Sequence, residues 1–108
     1  MKEQIKTGLQ DAAPANLSRT LIAYEPVWAI GAEKPMSTRQ MHEMAIFIRK
    51  TIVEMKGEKG MKIKILYGGS IDDTNAREMI EEGDVQGLLV GRASTDAEKF
   101  SALIKSLA

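Results

Sequence analysis

Three short segments of this 108-residue chain hold residues whose types and spacing suit chemistry on an anionic substrate. Glu25 stands directly before Pro26, at the end of the apolar run 21–24. A carboxylate held at such a point can act as a general base. Gly68-Gly69-Ser70 closes a second apolar run, and Gly91-Arg92 closes a third. Glycine there lets backbone N–H groups approach an oxyanion closely, and a following helix start adds partial positive charge. The combination reads as an anion pocket beside a carboxylate. Taken singly, each signal also has a plainer reading. Gly-Gly-Ser is a common turn, Gly91 can simply close a strand, and Glu25 can be a solvated loop carboxylate. Trp28 among Val27, Ala29 and Ile30 is harder to dismiss, because so apolar a loop must cover something. It reads as a lid, and a closing lid excludes water from what lies beneath.

The elements that position these residues follow from periodicity. Ile5 and Leu9 fit one face of an amphipathic helix over residues 2–10, and 11–16 reads as a loop. The run 21–24 predicts a buried strand that stops at Glu25, because proline lacks a ladder donor and keeps the residue before it out of the α region. Met41, Met44, Ala45, Ile48, Ile52 and Met55 recur at helical spacing, with Ser37 and Gln40 as a capping box and Gly57 as a stop. Alternation over 63–67 predicts a second strand, and a short helix over 74–81 ends at Gly83. Residues 87–90 predict a third strand. Thr95 and Glu98 suggest another capping box, ahead of a helix lined on one face by Phe100, Leu103, Ile104 and Leu107.

A helix followed three times by strand and helix implies an α/β fold with parallel strands and right-handed crossovers. A doubly wound sheet of three strands would bury too little. A (β/α)8 barrel needs about 250 residues, so three units and a preceding helix fit about three-eighths of one. The expected fold is therefore a partial barrel, with residues 1–108 as one incomplete domain. Such a piece leaves two unpaired sheet edges and an apolar inner face, so it should need a partner.

Composition excludes several classes. Lys plus Arg and Asp plus Glu each total 15, for a net charge of zero, and no basic run points to nucleic acid or a membrane surface. With 44% apolar and 28% charged residues the chain resembles a folded globular protein. It contains no Cys, which excludes disulfides, thiolate metal sites and a cysteine nucleophile. The start, MKEQIKTGLQ, lacks a signal-peptide core, and no run is long and apolar enough to span a bilayer. These features lead us to expect a soluble cytoplasmic protein.

At Tyr24-Glu25-Pro26-Val27-Trp28-Ala29-Ile30-Gly31, Tyr67-Gly68-Gly69-Ser70 and Gly87-Leu88-Leu89-Val90-Gly91, the sequence resembles the triosephosphate isomerase family. The likeness covers essentially the whole chain, from the end of the fifth barrel helix through the sixth, seventh and eighth βα units. It implies that Glu25 is the catalytic base, moving a proton between adjacent carbons of a triose phosphate through an enediolate. It further implies that Pro26, Val27 and Trp28 form the front hinge of a lid whose tip runs from Ala29 and Ile30 to Lys34. Tyr67 and Ser70 would hold that lid closed, and the backbone N–H groups of Gly31, Ser70, Gly91 and Arg92 would cradle the substrate phosphate. No metal or organic cofactor is implied.

Two positions depart from the family pattern. After Gly31 the lid usually continues Thr-Gly-Lys, but here it reads Ala32-Glu33-Lys34-Pro35, which removes a flexible glycine. The third-strand motif usually ends in two glycines, and here the second is Arg92. That side chain can add a cation to the phosphate site or occupy substrate space, which keeps an isomerase of another short-chain sugar phosphate open as a reading. The family's electrophiles are a lysine and an asparagine from the first strand and a histidine from the fourth, and no residue here matches them. His42 lies within the longest helix and reads as an ordinary surface or packing residue, and the lysines from Lys56 to Lys64 read as a solvated face. The chain alone is thus expected to be inactive, either completed by an N-terminal barrel portion or present as a catalytically silent homo-oligomer.

Overall fold

The structure, a computed structural model, describes residues 2–26 and 36–108. Helix α1 (Lys2–Leu9) leads through a 3-10 segment (Pro14–Arg19) into strand β1 (Leu21–Tyr24). Helix α2 (Thr38–Lys56), strand β2 (Lys64–Gly68), helix α3 (Ala76–Glu82), strand β3 (Gly87–Leu89) and helix α4 (Ala97–Leu107) follow. The strands form one sheet in the order β1-β2-β3, parallel throughout, with Tyr24 beside Tyr67 and Tyr67 beside Leu88. This is the expected βα alternation, the architecture of a partial (β/α)8 barrel.

Local chemistry accounts for most boundaries. Ser37 accepts from the Gln40 N–H at 3.1 Å while the Gln40 side chain accepts from the Ser37 N–H at 3.1 Å, the reciprocal capping box that starts α2. Gly57 ends that helix at φ 82°, a left-handed conformation that suits glycine. Pro14 opens a helical turn within the segment read as a loop, where its missing N–H costs nothing. The start of α4 departs from expectation. Asp96 caps it, accepting from the Glu98 and Lys99 N–H groups at 3.0 and 3.2 Å, whereas Thr95 donates its hydroxyl to the Arg92 carbonyl at 2.7 Å. A carboxylate one residue closer to the helix outcompetes the hydroxyl.

Ile65 and Tyr67 on the central strand are fully buried and join Met41, Ile48, Ile52, Met79 and Leu103 in the core between sheet and helices. The alternate sheet face is open, with Leu21 58% and Leu89 39% exposed. Strand β1 is therefore an edge strand, half-buried at best, and not the buried strand its apolar run suggests. The stripe of α4 is likewise only partly used. Leu103 is buried, whereas Phe100, Ile104 and Leu107 stay exposed beside the outer edge of β3.

Arg49 on α2 ties together the strand starts, at the sheet end away from the glycine motifs. Its guanidinium donates to the carbonyls of Ile63 (2.8 Å) and Met61 (3.3 Å) and to Gln86 Oε1 (2.6 Å), and it faces Asp84 at 3.8 Å. Gln86 Oε1 also accepts from the Ile65 N–H at 2.8 Å. Lys56 is not simply solvated, since it donates to the Gln10 carbonyl at 3.0 Å and joins the ends of α1 and α2. His42 Nδ1 lies 3.1 Å from the Glu82 carbonyl in the last turn of α3, a packing role that requires the Nδ1-protonated ring.

Candidate functional site

The C-terminal ends of all three strands converge on one cleft of about 300 Å³. It is lined by Glu25, by residues 68–71 and by residues 89–93. Ligands of parallel α/β sheets and barrels bind at this end of the strands, so the opening lies where the topology puts function.

Three glycines at and between the strand ends leave room for larger side chains beside them. One step past the paired Tyr24 and Tyr67, the Glu25 side chain lies across Gly68. A methyl group on Gly68 would come within 2.6 Å of Glu25 Cγ and 3.1 Å of Oε1. Gly69 has the same function toward Tyr67, whose hydroxyl and ring carbon Cζ occupy the space a side chain there would need. Gly87 leaves room for Leu66, whose Cδ2 would lie 2.6 Å from an added methyl. By contrast, open space surrounds the Cβ position of Gly91, so that glycine is not required by packing within the described residues.

Tyr67 is completely buried, and its hydroxyl accepts a hydrogen bond from the Met36 backbone N–H at 3.3 Å. Burial pushes its phenol above the ordinary tyrosine value, against the pull of the Met36 N–H, with neighbouring Tyr24 adding to the rise. Ser70 is half-buried at the cleft wall, and its carbonyl accepts from Asn75 Nδ2 at 2.9 Å. Arg92 is exposed on the opposite wall and opens a 3-10 turn (Arg92–Thr95) in which Ser94 donates twice to the Gly91 carbonyl. Among the described residues of the lining, Glu25 and Arg92 are those with ionisable side chains.

Six of the residues singled out from sequence, Glu25, Gly68, Gly69, Ser70, Gly91 and Arg92, thus meet around one opening, with Tyr67 packed beneath it. Pro26 is buried at the exit of β1. The predicted lid residues Val27, Trp28, Ala29, Ile30 and Gly31 lie outside the described residues, as do positions 32–35. Ile71 and Ala93 line the cleft without having been singled out from sequence, since each looks like an ordinary apolar residue, and Leu89 and Val90 entered only as members of the third-strand motif. Asn75 was missed too; a polar residue shortly after a glycine-rich loop was the available signal. Among the described residues no three His, Cys, Asp or Glu side chains converge as a metal site would require, and no helix is long and apolar enough to cross a membrane.

Parallel βα units with a carboxylate and glycine-rich loops at the strand ends define part of a (β/α)8 barrel whose site faces its C-terminal rim. Comparison with known proteins narrows that class, because the sequence matches the family description "Triosephosphate isomerase" over residues 1–107. The chain belongs to the triosephosphate isomerase family. It is 43% identical over 105 residues to the triosephosphate isomerase of Endomicrobium trichonymphae, covering 97% of this chain and 42% of that protein. With the triosephosphate isomerase of Moorella thermoacetica it shares 42% identity over 101 residues, covering 94% of this chain and 41% of the relative. That of Chloroherpeton thalassium is 40% identical over 107 residues, with 98% and 42% covered. The chain therefore spans about two fifths of the length of the relatives it matches.

Proposed function

We propose that this chain supplies the base and phosphate-binding side of a triosephosphate isomerase site, for interconversion of glyceraldehyde 3-phosphate and dihydroxyacetone phosphate. The observation that carries the reading is Glu25 packed across Gly68 in the same cleft as Ser70, Gly91 and Arg92. In the proposed reaction the Glu25 carboxylate takes a proton from the carbon next to the carbonyl, and the electron pair moves onto the carbonyl oxygen to give an enediolate. The proton then returns to the neighbouring carbon while the substrate hydroxyl proton passes to the former carbonyl oxygen, so aldose becomes ketose with no net change of atoms or electrons. Backbone N–H groups of Gly31, Ser70, Gly91 and Arg92 hold the phosphate, an arrangement suited to an anion because fixed dipoles need no reorganisation. Pro26, Val27, Trp28, Ala29 and Ile30 close over the substrate, with Tyr67 anchoring the far end of that segment through Met36. The chemistry calls on no metal or organic cofactor, and the setting is the cytoplasm, in glycolysis and gluconeogenesis.

The groups that polarise the carbonyl have no counterpart here, and electrostatic stabilisation of the enediolate is usually the largest catalytic term. The proposed partner is therefore a portion of barrel that provides the remaining strands. Among the described residues, the outer edges of β1 and β3 pair with no further strand and the inner sheet face is open, which supports that need. The test is an isomerase assay on the 108-residue chain alone and on a chimera joining it to the part of the Endomicrobium trichonymphae enzyme that it does not match. Activity in the chimera that disappears with Glu25→Gln supports the reading; a folded chimera whose activity survives that change overturns it.

Two observations favour other readings. The Arg92 cation on the cleft wall favours a different short-chain sugar phosphate, which a substrate panel on the chimera would separate. The exposed Phe100, Ile104 and Leu107 beside β3 favour a catalytically silent fragment that self-associates, which would show as a folded oligomer without activity.

A further inference from the structure

Asn75 stands at the N-cap position of α3, where its side chain would ordinarily accept from a helix N–H. It makes no such bond. Its amide turns back to the preceding loop instead, with Nδ2 donating to the Ser70 carbonyl at 2.9 Å and Oδ1 accepting from the Asp72 N–H at 2.9 Å. Asn75 is half-buried and does not line the cleft, whereas Ser70 and Ile71 do. One side chain behind the wall thus clamps the backbone of the loop that forms it, at two points.

We infer that Asn75 is a positioning residue for the anion-binding loop, acting through Ser70 without touching the ligand. The inference rests on the proposed reading of Ser70 as a phosphate-binding residue. A carbonyl oxygen beside a bound phosphate repels it, and one engaged by an amide donor behind the wall is withheld from the cleft. The same bond fixes the peptide plane that follows Ser70 and so limits the freedom of the loop before the anion arrives, which lowers the ordering cost of binding. A helix cap needs only an acceptor, whereas this arrangement uses both ends of the amide. Asp72 and Thr74 reinforce the turn, the Asp72 carboxylate accepting from the Thr74 N–H at 2.8 Å and hydroxyl at 2.5 Å, but neither bonds to Ser70.

The test is a titration of the nitrogen-15-labelled 108-residue chain with inorganic phosphate at constant ionic strength, following backbone amide resonances, with thermal unfolding measured on each variant. The wild type is expected to show saturable shifts at Ser70, Gly91 and Arg92. Asn75→Ala should weaken phosphate binding at least about fivefold. Asn75→Asp keeps an acceptor for the Asp72 N–H but loses the donor to Ser70, and should weaken binding comparably even where Asn75→Ala unfolds. Thr74→Val removes a bond of the same turn that does not reach Ser70, and should bind phosphate as the wild type does. Wild-type affinity in both Asn75 variants overturns the inference, and so does an equal loss in Thr74→Val, which would reduce Asn75 to general loop stability. Absence of a saturable response in the wild type instead overturns the phosphate reading itself, and the inference with it.

Discussion

The Met36 backbone N–H and the buried Tyr67 hydroxyl, 3.3 Å apart, join the residue that follows 27–35 to the end of the central strand. Tyr67→Phe removes that acceptor and leaves a buried N–H without its partner, so it should cost about 1 kcal/mol. Because burial raises the Tyr67 pKa above the ordinary 10.0, the native state keeps a proton that the unfolded chain loses. The resulting stability is complete below pH 10.0 and is lost as pH rises through the raised value. Urea unfolding between pH 8 and 11 should show this decline, and the phenylalanine variant should reduce it to the part contributed by Tyr24, whose phenol burial also raises.

The two glycines of Gly68-Gly69-Ser70 should respond differently to alanine. At Gly68 the added methyl meets the side chain of exposed Glu25, which can swing away. Gly68→Ala should therefore change stability by less than about 1 kcal/mol, yet lower the activity of the chimera by displacing the base. At Gly69 the methyl meets the ring of fully buried Tyr67, which has nowhere to go. Gly69→Ala should cost about 2 kcal/mol, in the range of overpacked cores. Equal unfolding midpoints for the two variants would contradict this account.

Arg49 should matter for stability and not for the cleft, which lies at the other end of the strands. Its side chain is 12% exposed, and Arg49→Met leaves two carbonyls and Gln86 short of a donor. A loss of about 1 kcal/mol is expected, because only the bond to the Ile63 carbonyl is partly buried, the Met61 carbonyl and Gln86 are exposed, and Gln86 Oε1 keeps the Ile65 N–H. Arg49→Lys keeps the charge but cannot span carbonyls and amide together, and should recover only part of it. Phosphate affinity measured on whichever variant stays folded should be unchanged.

Asp72 predicts an acid limb. The Thr74 hydroxyl and N–H hold its carboxyl below the ordinary 3.8, with the Asn75 backbone adding to the effect. A depressed carboxylate pKa contributes stability that is present above the unfolded value and is lost as pH falls through the native one. Unfolding midpoints should therefore drop below about pH 4, near the ordinary Asp value. Asp72→Asn should shrink that drop, and an unchanged acid limb would count against the turn.

The apolar stripe of α4 should govern the mass of the chain in solution. Phe100, Ile104 and Leu107 are 37%, 51% and 41% exposed, with Leu88 and Val90 at the edge of β3 alongside. Ile104→Lys places a charge in the middle of that surface and should shift light-scattering mass toward the monomer. An unaltered mass at equal concentration would locate the association elsewhere.

How much was legible in the sequence can be judged element by element. Helix α2 was read with its cap and stop because Ser37, Gln40 and Gly57 act through bonds to near neighbours in the chain, as the structure shows. Strand β1 ended where Pro26 required. The α4 cap was misplaced by one residue because Thr95 and Asp96 both carry a suitable oxygen, and only the packed turn assigns Thr95 to the Arg92 carbonyl. The open inner face of the sheet follows from the count of three strands, whereas the exposure of Phe100, Ile104 and Leu107 on α4 does not follow from periodicity, because burial depends on neighbours that a repeat pattern cannot supply.

The sequence by itself determined the α/β class, the strand ends and the residue types offered for chemistry, since these depend on local propensity, period and the backbone limits of glycine and proline. Tertiary structure alone decided that Glu25 lies across Gly68, that Tyr67 reaches Met36, and that Asn75 gives up its helix cap to hold Ser70. These contacts join different elements or opposite sides of a loop, and they depend on strand register and crossover packing, which exist only once the sheet has formed.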